Sequence, residues 1–216
     1  MIRIQKDSSH EPKSWIRYRL TDGATYSPTA DLRSALLQEQ GYLCAYCMRR
    51  IPVRDTNSTE DTRIEHIKSR TQHPELELDY GNMVICCPGA ISGNTNFHCD
   101  KSKKDTDISF DVFSQGCIET LSYLSDGTIT SNNPTYDNEI NNILCLNNNL
   151  LKSNRKAKYV QVITSIQSRG WKIGTIQKLL DLYQSKDCNG YYREYCGIVI
   201  YHLTKKIQQI SAKRTK

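Results

Sequence analysis

No run of apolar residues in this 216-residue sequence approaches the roughly 18 to 20 that a membrane-crossing helix requires. The first residues, Met1 to Asp7, lack the apolar middle of a secretion signal, so a cytoplasmic protein without a membrane partner is expected. Phenylalanine (3), tryptophan (2) and methionine (3) are scarce, glycine (11) and proline (6) are ordinary, and no internal repeat is present. Collagen-like, mucin-like and wholly disordered chains are thereby excluded. Neither sign of charge dominates: 29 Lys plus Arg against 23 Asp plus Glu leave +6, which favours a polyanionic partner without requiring one. What the sequence does hold in quantity is cysteine. In a reducing compartment nine cysteines with clustered spacing read as metal ligands before they read as disulfides.

The length suits one generous domain or a core with a second lobe. Leu32, Leu36 and Leu37 recur at helical spacing up to Gly41, which stands where a helix C-cap would, and Leu43-Cys44-Ala45-Tyr46-Cys47 follows directly. A polar loop runs from Arg54 to Thr62. A short β-branched segment at 63–67 and a second in 79–87 predict two strands separated by a loop carrying Pro74. A Gly/Asn-rich loop from Gly89 to Asn96 leads into a short helix over 97–104. Asp126-Gly127 between 117–124 and 128–130 predicts a hairpin. From Asn138 the apolar spacing is helical in four segments, and Asn132-Asn133-Pro134 marks the expected boundary. The expected division is therefore 1–134 as the chemical core and 135–216 as a helical lobe.

Cys44-x-x-Cys47 offers two thiolates from one turn, half of a tetrahedral zinc site. Cys86, Cys87 and Cys99 can supply the other half. Neighbouring residues on a strand point to opposite faces, so only one of Cys86 and Cys87 can face the ion. The predicted ligands are Cys44, Cys47, Cys87 and Cys99, with Cys86 as the alternative. Such a zinc, with four protein ligands, is structural, and its removal should unfold this region first. Within the span those cysteines enclose lie Glu65, His66, Asn82 and Asp100. Histidine supplies a base near neutral pH, while carboxylates suit Mg²⁺ or Mn²⁺. Lys101, Lys103 and Lys104 are the candidate phosphate contacts, with Lys152 to Lys158 and the run Lys205 to Lys216 as weaker ones. Tyr191, Tyr192, Tyr195 and Tyr201 are expected to pack rather than to stack on bases. Cys117, Cys145, Cys188 and Cys196 are expected to be buried as small apolar groups.

The blocks Leu43-Cys44-Ala45-Tyr46-Cys47, Ile64-Glu65-His66-Ile67, Asp79 to Cys87 and His98-Cys99-Asp100-Lys101-Ser102-Lys103 together resemble a zinc-containing HNH endonuclease over about residues 43 to 104. The resemblance implies an α+β protein whose zinc-stapled, treble-clef-like ββα-metal core is flanked by an N-terminal helix and a C-terminal α-helical lobe. It implies His66 as general base, Asn82 as the residue that orients loop and base, and Glu65 where many members carry Asp or His. Asp100, or alternatively His98, would join Glu65 in holding a catalytic Mg²⁺ or Mn²⁺. The final cysteine pair departs from the family pattern, being split by the Gly/Asn-rich loop and followed by Asp100 instead of His. More widely, Arg3-Ile4-x-Lys6, Trp15 and the helix leading into Leu-Cys-Ala-Tyr-Cys resemble the PtuB-type nuclease subunit of Septu and retron-associated anti-phage systems. That resemblance implies a nucleic acid substrate (DNA first, RNA as the alternative) and an ABC-type ATPase partner of the PtuA kind. In retron versions it adds a reverse transcriptase with its RNA–DNA product. The rival expectations are a zinc-dependent nucleic-acid- or protein-binding subunit without catalysis, and a ribonuclease acting on structured RNA.

Overall fold

The computed structural model describes residues 1–52, 62–90 and 96–214. Most of the polar run from Arg54, the middle of the Gly/Asn-rich loop and the last two residues of the C-terminal basic run lie outside the described residues. The chain is α+β, with helices predominating over two small antiparallel sheets. None of the described helices is long and apolar enough to cross a membrane.

A helix absent from the sequence reading comes first: α1 (Lys13–Arg19) starts after Pro12 and buries Trp15 completely. Helix α2 (Ala30–Glu39) follows the expected pattern. Thr29 caps it by accepting the Leu32 N–H, and Leu32, Leu36 and Leu37 face the core. It stops at Gly41, whose φ is +58° and against which Tyr192 packs so closely that a side chain there would collide with the tyrosine. The turn beyond, from Leu43 to Arg50, carries the first cysteine pair and is tied to the next sheet by the Ala45 N–H to the Ile85 carbonyl, 3.0 Å.

Strands β1 (Arg63–His66) and β2 (Met83–Cys86) pair antiparallel with Glu65 opposite Val84 and His66 opposite Met83. A one-turn helix, α3 (Asp100–Lys103), follows the second strand. Next come α4 (Gln115–Glu119) and the hairpin β3 (Leu121–Tyr123) with β4 (Ile129–Ser131), turned through Gly127 at φ +90°. The hairpin was expected, but its first arm is shorter than the pattern implied. Ser114 accepts the Cys117 N–H and starts a helical turn where a strand was read.

Past residue 133, α5 (Pro134–Asn138) runs into a π-helical turn at Glu139–Ile143. Helices α6 (Asn149–Gln167), α7 (Ile173–Gln184) and α8 (Cys196–Arg214) complete the chain. The first of the four expected helical segments is broken at Cys145, with φ +49°, before Asn148 caps α6 by accepting the Leu151 N–H. Buried apolar side chains form one cluster extending from Met1 to Leu203, so the core continues across the expected boundary at residue 134.

Candidate metal centre and acidic cleft

Three segments deliver four sulfurs to one point. Cys44 and Cys47 come from the turn after α2, Cys87 from the end of β2, and Cys99 from the residue that opens α3. Their Sγ atoms all lie within 4.8 Å of one another and all four residues are buried. Cys44 and Cys99 are 3.7 Å apart, Cys47 and Cys87 3.7 Å, Cys87 and Cys99 3.9 Å, and none is in a disulfide. Sulfurs held 2.3 Å from a common ion at tetrahedral corners stand about 3.8 Å apart. The cluster can therefore hold a structural metal ion such as zinc. Cys86, though wholly buried beside these groups, is not one of the four.

Cys99 reaches the cluster from a strained backbone, φ +56° and ψ −141°, held by its N–H donating to the Leu144 carbonyl at 2.9 Å. Helix α6 contributes a buried cation. The Arg155 guanidinium donates to the carbonyls of Gly127 (2.6 Å) and Leu146 (2.8 Å) and to Asn147 Oδ1. Burial pulls its pKa down to about 10, while Cys47 and Cys99, as thiolates, pull it back up. A divalent ion with four thiolates carries −2, so Arg155 partly balances the charge of a loaded cluster.

Along β1 lies a polar cleft of about 290 Å³ lined by Glu65, His66, Asp100 and Ser69, with Arg63, Arg70, Lys101 and Lys104 around it. Glu65 is nearly inaccessible and accepts hydrogen bonds from Tyr46 Oη (3.0 Å) and Lys103 Nζ (2.8 Å). Burial, and then its hydrogen bond with Asp100, push its pKa up to about 8 against the pull of Lys103. Asp100 also pairs with Arg63. Glu65 and Asp100 line the same cleft, and hard oxygen donors of this kind suit Mg²⁺ or Mn²⁺. Among the described residues, the cysteines form the one set of three or more His, Cys, Asp or Glu ligand atoms that converge so closely.

His66 ends β1. Its Nε2 lies 2.9 Å from the Glu77 carbonyl oxygen, which can only accept, so Nε2 carries the proton and Nδ1 keeps the lone pair. Burial, with help from Arg70 and Lys103, lowers its pKa to about 4, so the ring is neutral at pH 7. Asn82 shapes the loop that carries that carbonyl. Its Nδ2 donates to Lys68 O (3.0 Å) and Leu76 O (3.3 Å), and its Oδ1 accepts the Lys68 N–H at 2.8 Å. The amide closes residues 67–82 into a ring that ends beside His66.

Four expected residues take other positions. Lys103 does not reach solvent; it is 1% exposed and its ammonium is taken by Glu65 and the His66 carbonyl, so it is not a phosphate contact. His98 does not line the cleft and instead sets Nδ1 3.9 Å from Cys87 Sγ, on the sulfur side of α3. Cys188 is exposed, whereas Cys117 and Cys196 are buried as expected and Cys145 is half-buried, accepting from Ser102 Oγ at 3.2 Å. The lysines of α6 are partly engaged within the molecule, Lys152 with Asp126 and Lys158 with Glu194. Tyr191 stacks on Tyr42 at 4.1 Å, and the buried Tyr195 accepts from Asn154 Nδ2, so these tyrosines pack as expected.

Arg63, Arg70, Tyr46 and Tyr26 are site residues the sequence reading missed. Arg63 carried a signal, standing two residues before Glu65 and hence on the same strand face. Tyr46 lay inside the cysteine motif, and Arg70 and Tyr26 had no periodic or motif signal. Neither a family model nor a curated protein matches the chain.

Proposed function

We propose that the chain is a metal-dependent endonuclease of the HNH type, built on a zinc-stapled ββα core, that hydrolyses phosphodiester bonds in nucleic acid. The observation that carries this reading is one cleft lined by a neutral imidazole of defined tautomer, two carboxyl groups and four cations, next to a four-cysteine cluster. His66 Nδ1 takes the proton of the attacking water, with Nε2 held by the Glu77 carbonyl so that the lone pair keeps its direction. Asn82 holds the loop supplying that carbonyl. Glu65 and Asp100 hold the catalytic Mg²⁺ or Mn²⁺. That ion supplies Lewis acidity, which neutralises phosphate charge and makes water easier to deprotonate by a base as weak as His66. Arg63, Arg70, Lys101 and Lys104 bind the phosphate backbone. The cysteine cluster holds zinc and fixes α3 against β2.

The resemblance to PtuB-type subunits extends the proposal to an effector nuclease of an anti-phage complex, acting with an ABC-type ATPase and, in retron versions, a reverse transcriptase and its RNA–DNA product. The test is incubation of the purified chain, with and without such an ATPase, on DNA and RNA in parallel, with Mn²⁺ or chelator. Mn²⁺-dependent cleavage that disappears in His66→Ala is expected, and a His66→Ala protein that still cuts overturns the reading.

A second reading is favoured by a specific observation. Lys103 and Arg63 already neutralise the carboxylates proposed to hold the catalytic ion, as they would in a zinc-containing nucleic-acid-binding module that does not cut. Titration of the zinc-loaded protein with Mn²⁺ separates the two. The nuclease binds a second ion that Glu65→Gln abolishes; the binding module takes none.

A further inference from the structure

A general base works only if its free nitrogen points to one place, and a histidine side chain must be stopped about two bonds to achieve that. In His66 the Glu77 carbonyl restrains Nε2. A second contact comes from outside the strand-loop-strand unit. Tyr26, in the connection between α1 and α2, packs its ring against the imidazole with centroids 4.7 Å apart and planes at 79°. Edge-to-face packing at this distance resists rotation of either ring.

Tyr26 is itself held on two sides. Trp15, fully buried, meets it edge-on at 6.4 Å, and the Arg70 guanidinium lies 4.5 Å over its ring. The tyrosine thus joins the N-terminal helices to the cleft through a single side chain.

We infer that Tyr26 is a positioning residue for His66, its ring fixing the rotation of the imidazole so that Nδ1 faces the cleft. The consequence for rate rests on the endonuclease reading; the consequence for ring order does not. Tyr26→Phe keeps the ring and should behave as wild type. Tyr26→Leu, with Tyr26→Met as a second variant of similar bulk, removes it. For both, kcat on a labelled duplex with Mn²⁺ should fall on the order of 10- to 100-fold, because misplacement of a reacting group costs that much. KM should stay within about twofold, because the interaction lost is one of the transition state. In long-range proton–nitrogen spectra, the wild-type and Tyr26→Phe imidazoles should show one sharp Nε2–H tautomer, and the Leu and Met variants a broadened or mixed signal. Zinc content and melting temperature establish that each variant is folded.

The inference is overturned if folded Tyr26→Leu and Tyr26→Met keep both kcat and the single tautomer, or if Tyr26→Phe falls with them, which would assign the effect to the hydroxyl. Should no form of the protein cut while the imidazole loses order in the Leu and Met variants, the endonuclease reading fails and the positioning role stands.

Discussion

Glu65 is the residue on which the chemistry of the cleft turns, because it sits in two fields of opposite sign. Burial and Asp100 hold its proton on and Lys103 pulls it off, with a resulting pKa of about 8. An unfolded glutamate titrates near 4.3. Between those values the folded chain binds a proton that the unfolded chain has released, so this group's contribution to stability falls as pH rises through the window. On the proposed nuclease reading, a divalent cation shared with Asp100 would replace that proton and remove the penalty. Melting of the zinc-loaded protein should therefore show a larger Mn²⁺ increment at pH 8 than at pH 6, and equal increments would show that Mn²⁺ does not compete for the Glu65 proton. Lys103 belongs to the same balance. With its ammonium buried against Glu65 and the His66 carbonyl, Lys103→Met breaks a buried pair, a change that costs about 3–5 kcal/mol in general. The raised pKa lets Glu65 take a proton instead of standing charged and alone, so a cost at or below the lower end of that range is expected in urea unfolding at pH 6. A neutral result would mean the pair contributes nothing to the fold.

At the scale of the element, the loop from Ile67 to Asn82 is the part whose shape matters most. Asn82 makes three hydrogen bonds across it, to both backbone groups of Lys68 and to the Leu76 carbonyl. Asn82→Ala removes them and leaves part-buried backbone groups of Lys68 and Leu76 to water, which should cost about 1 kcal/mol. It should also free the Glu77 carbonyl from His66, so the Nε2–H tautomer should become mixed; a sharp single tautomer in that variant would show that the loop keeps its shape unaided. Elements of this kind divide what was legible in the sequence from what was not. Strands β1 and β2 could be read because β-branched runs and a turn signal are local, and the cysteine set because zinc ligand spacing leaves few choices. The capped helix α2 was readable for the same reason. Helix α1 was not: it is seven residues long and its single anchor, Trp15, gives no period. Lys103 was misplaced because a lysine one turn into a basic helix looks identical in sequence whether it faces water or a buried carboxylate. Only the packing of α3 on β1, set by Cys99, turns it inward. Tyr26 meets His66 and Arg70 through tertiary contacts about 40 residues apart along the chain, and no local pattern encodes those.

Over the whole molecule, the cysteine cluster lies at the junction between the two halves instead of inside one of them. The segment after α7 is bonded to the first cysteine turn: the Tyr195 N–H donates to Met48 O at 2.9 Å, Tyr192 N–H to Gly41 O at 3.1 Å, and Arg50 to the Tyr192 carbonyl. On the other side, the Cys99 N–H meets Leu144 O, and Arg155 of α6 lies in the field of Cys47 and Cys99 while holding the Gly127 and Leu146 carbonyls. Zinc binding in small modules contributes on the order of 10–16 kcal/mol to folding. With zinc bound at the cysteines, that energy would hold in place a turn against which the C-terminal lobe is bonded. The sequence alone led us to expect that chelation unfolds residues near the ion first. The contacts extend that expectation: α6 and the 187–195 segment should lose amide protection together with residues 43–50 and 83–103, because their bonding partners leave with the metal. Hydrogen exchange of zinc-loaded and chelated protein measures this directly. Arg155→Met supplies the converse. It removes the cation facing the thiolates and strands the carbonyls it holds, so zinc should be lost to a competing chelator faster than from wild type. If chelation leaves α6 and 187–195 fully protected, and Arg155→Met releases zinc at the wild-type rate, the metal stabilises only its own turn and the lobe folds independently of it.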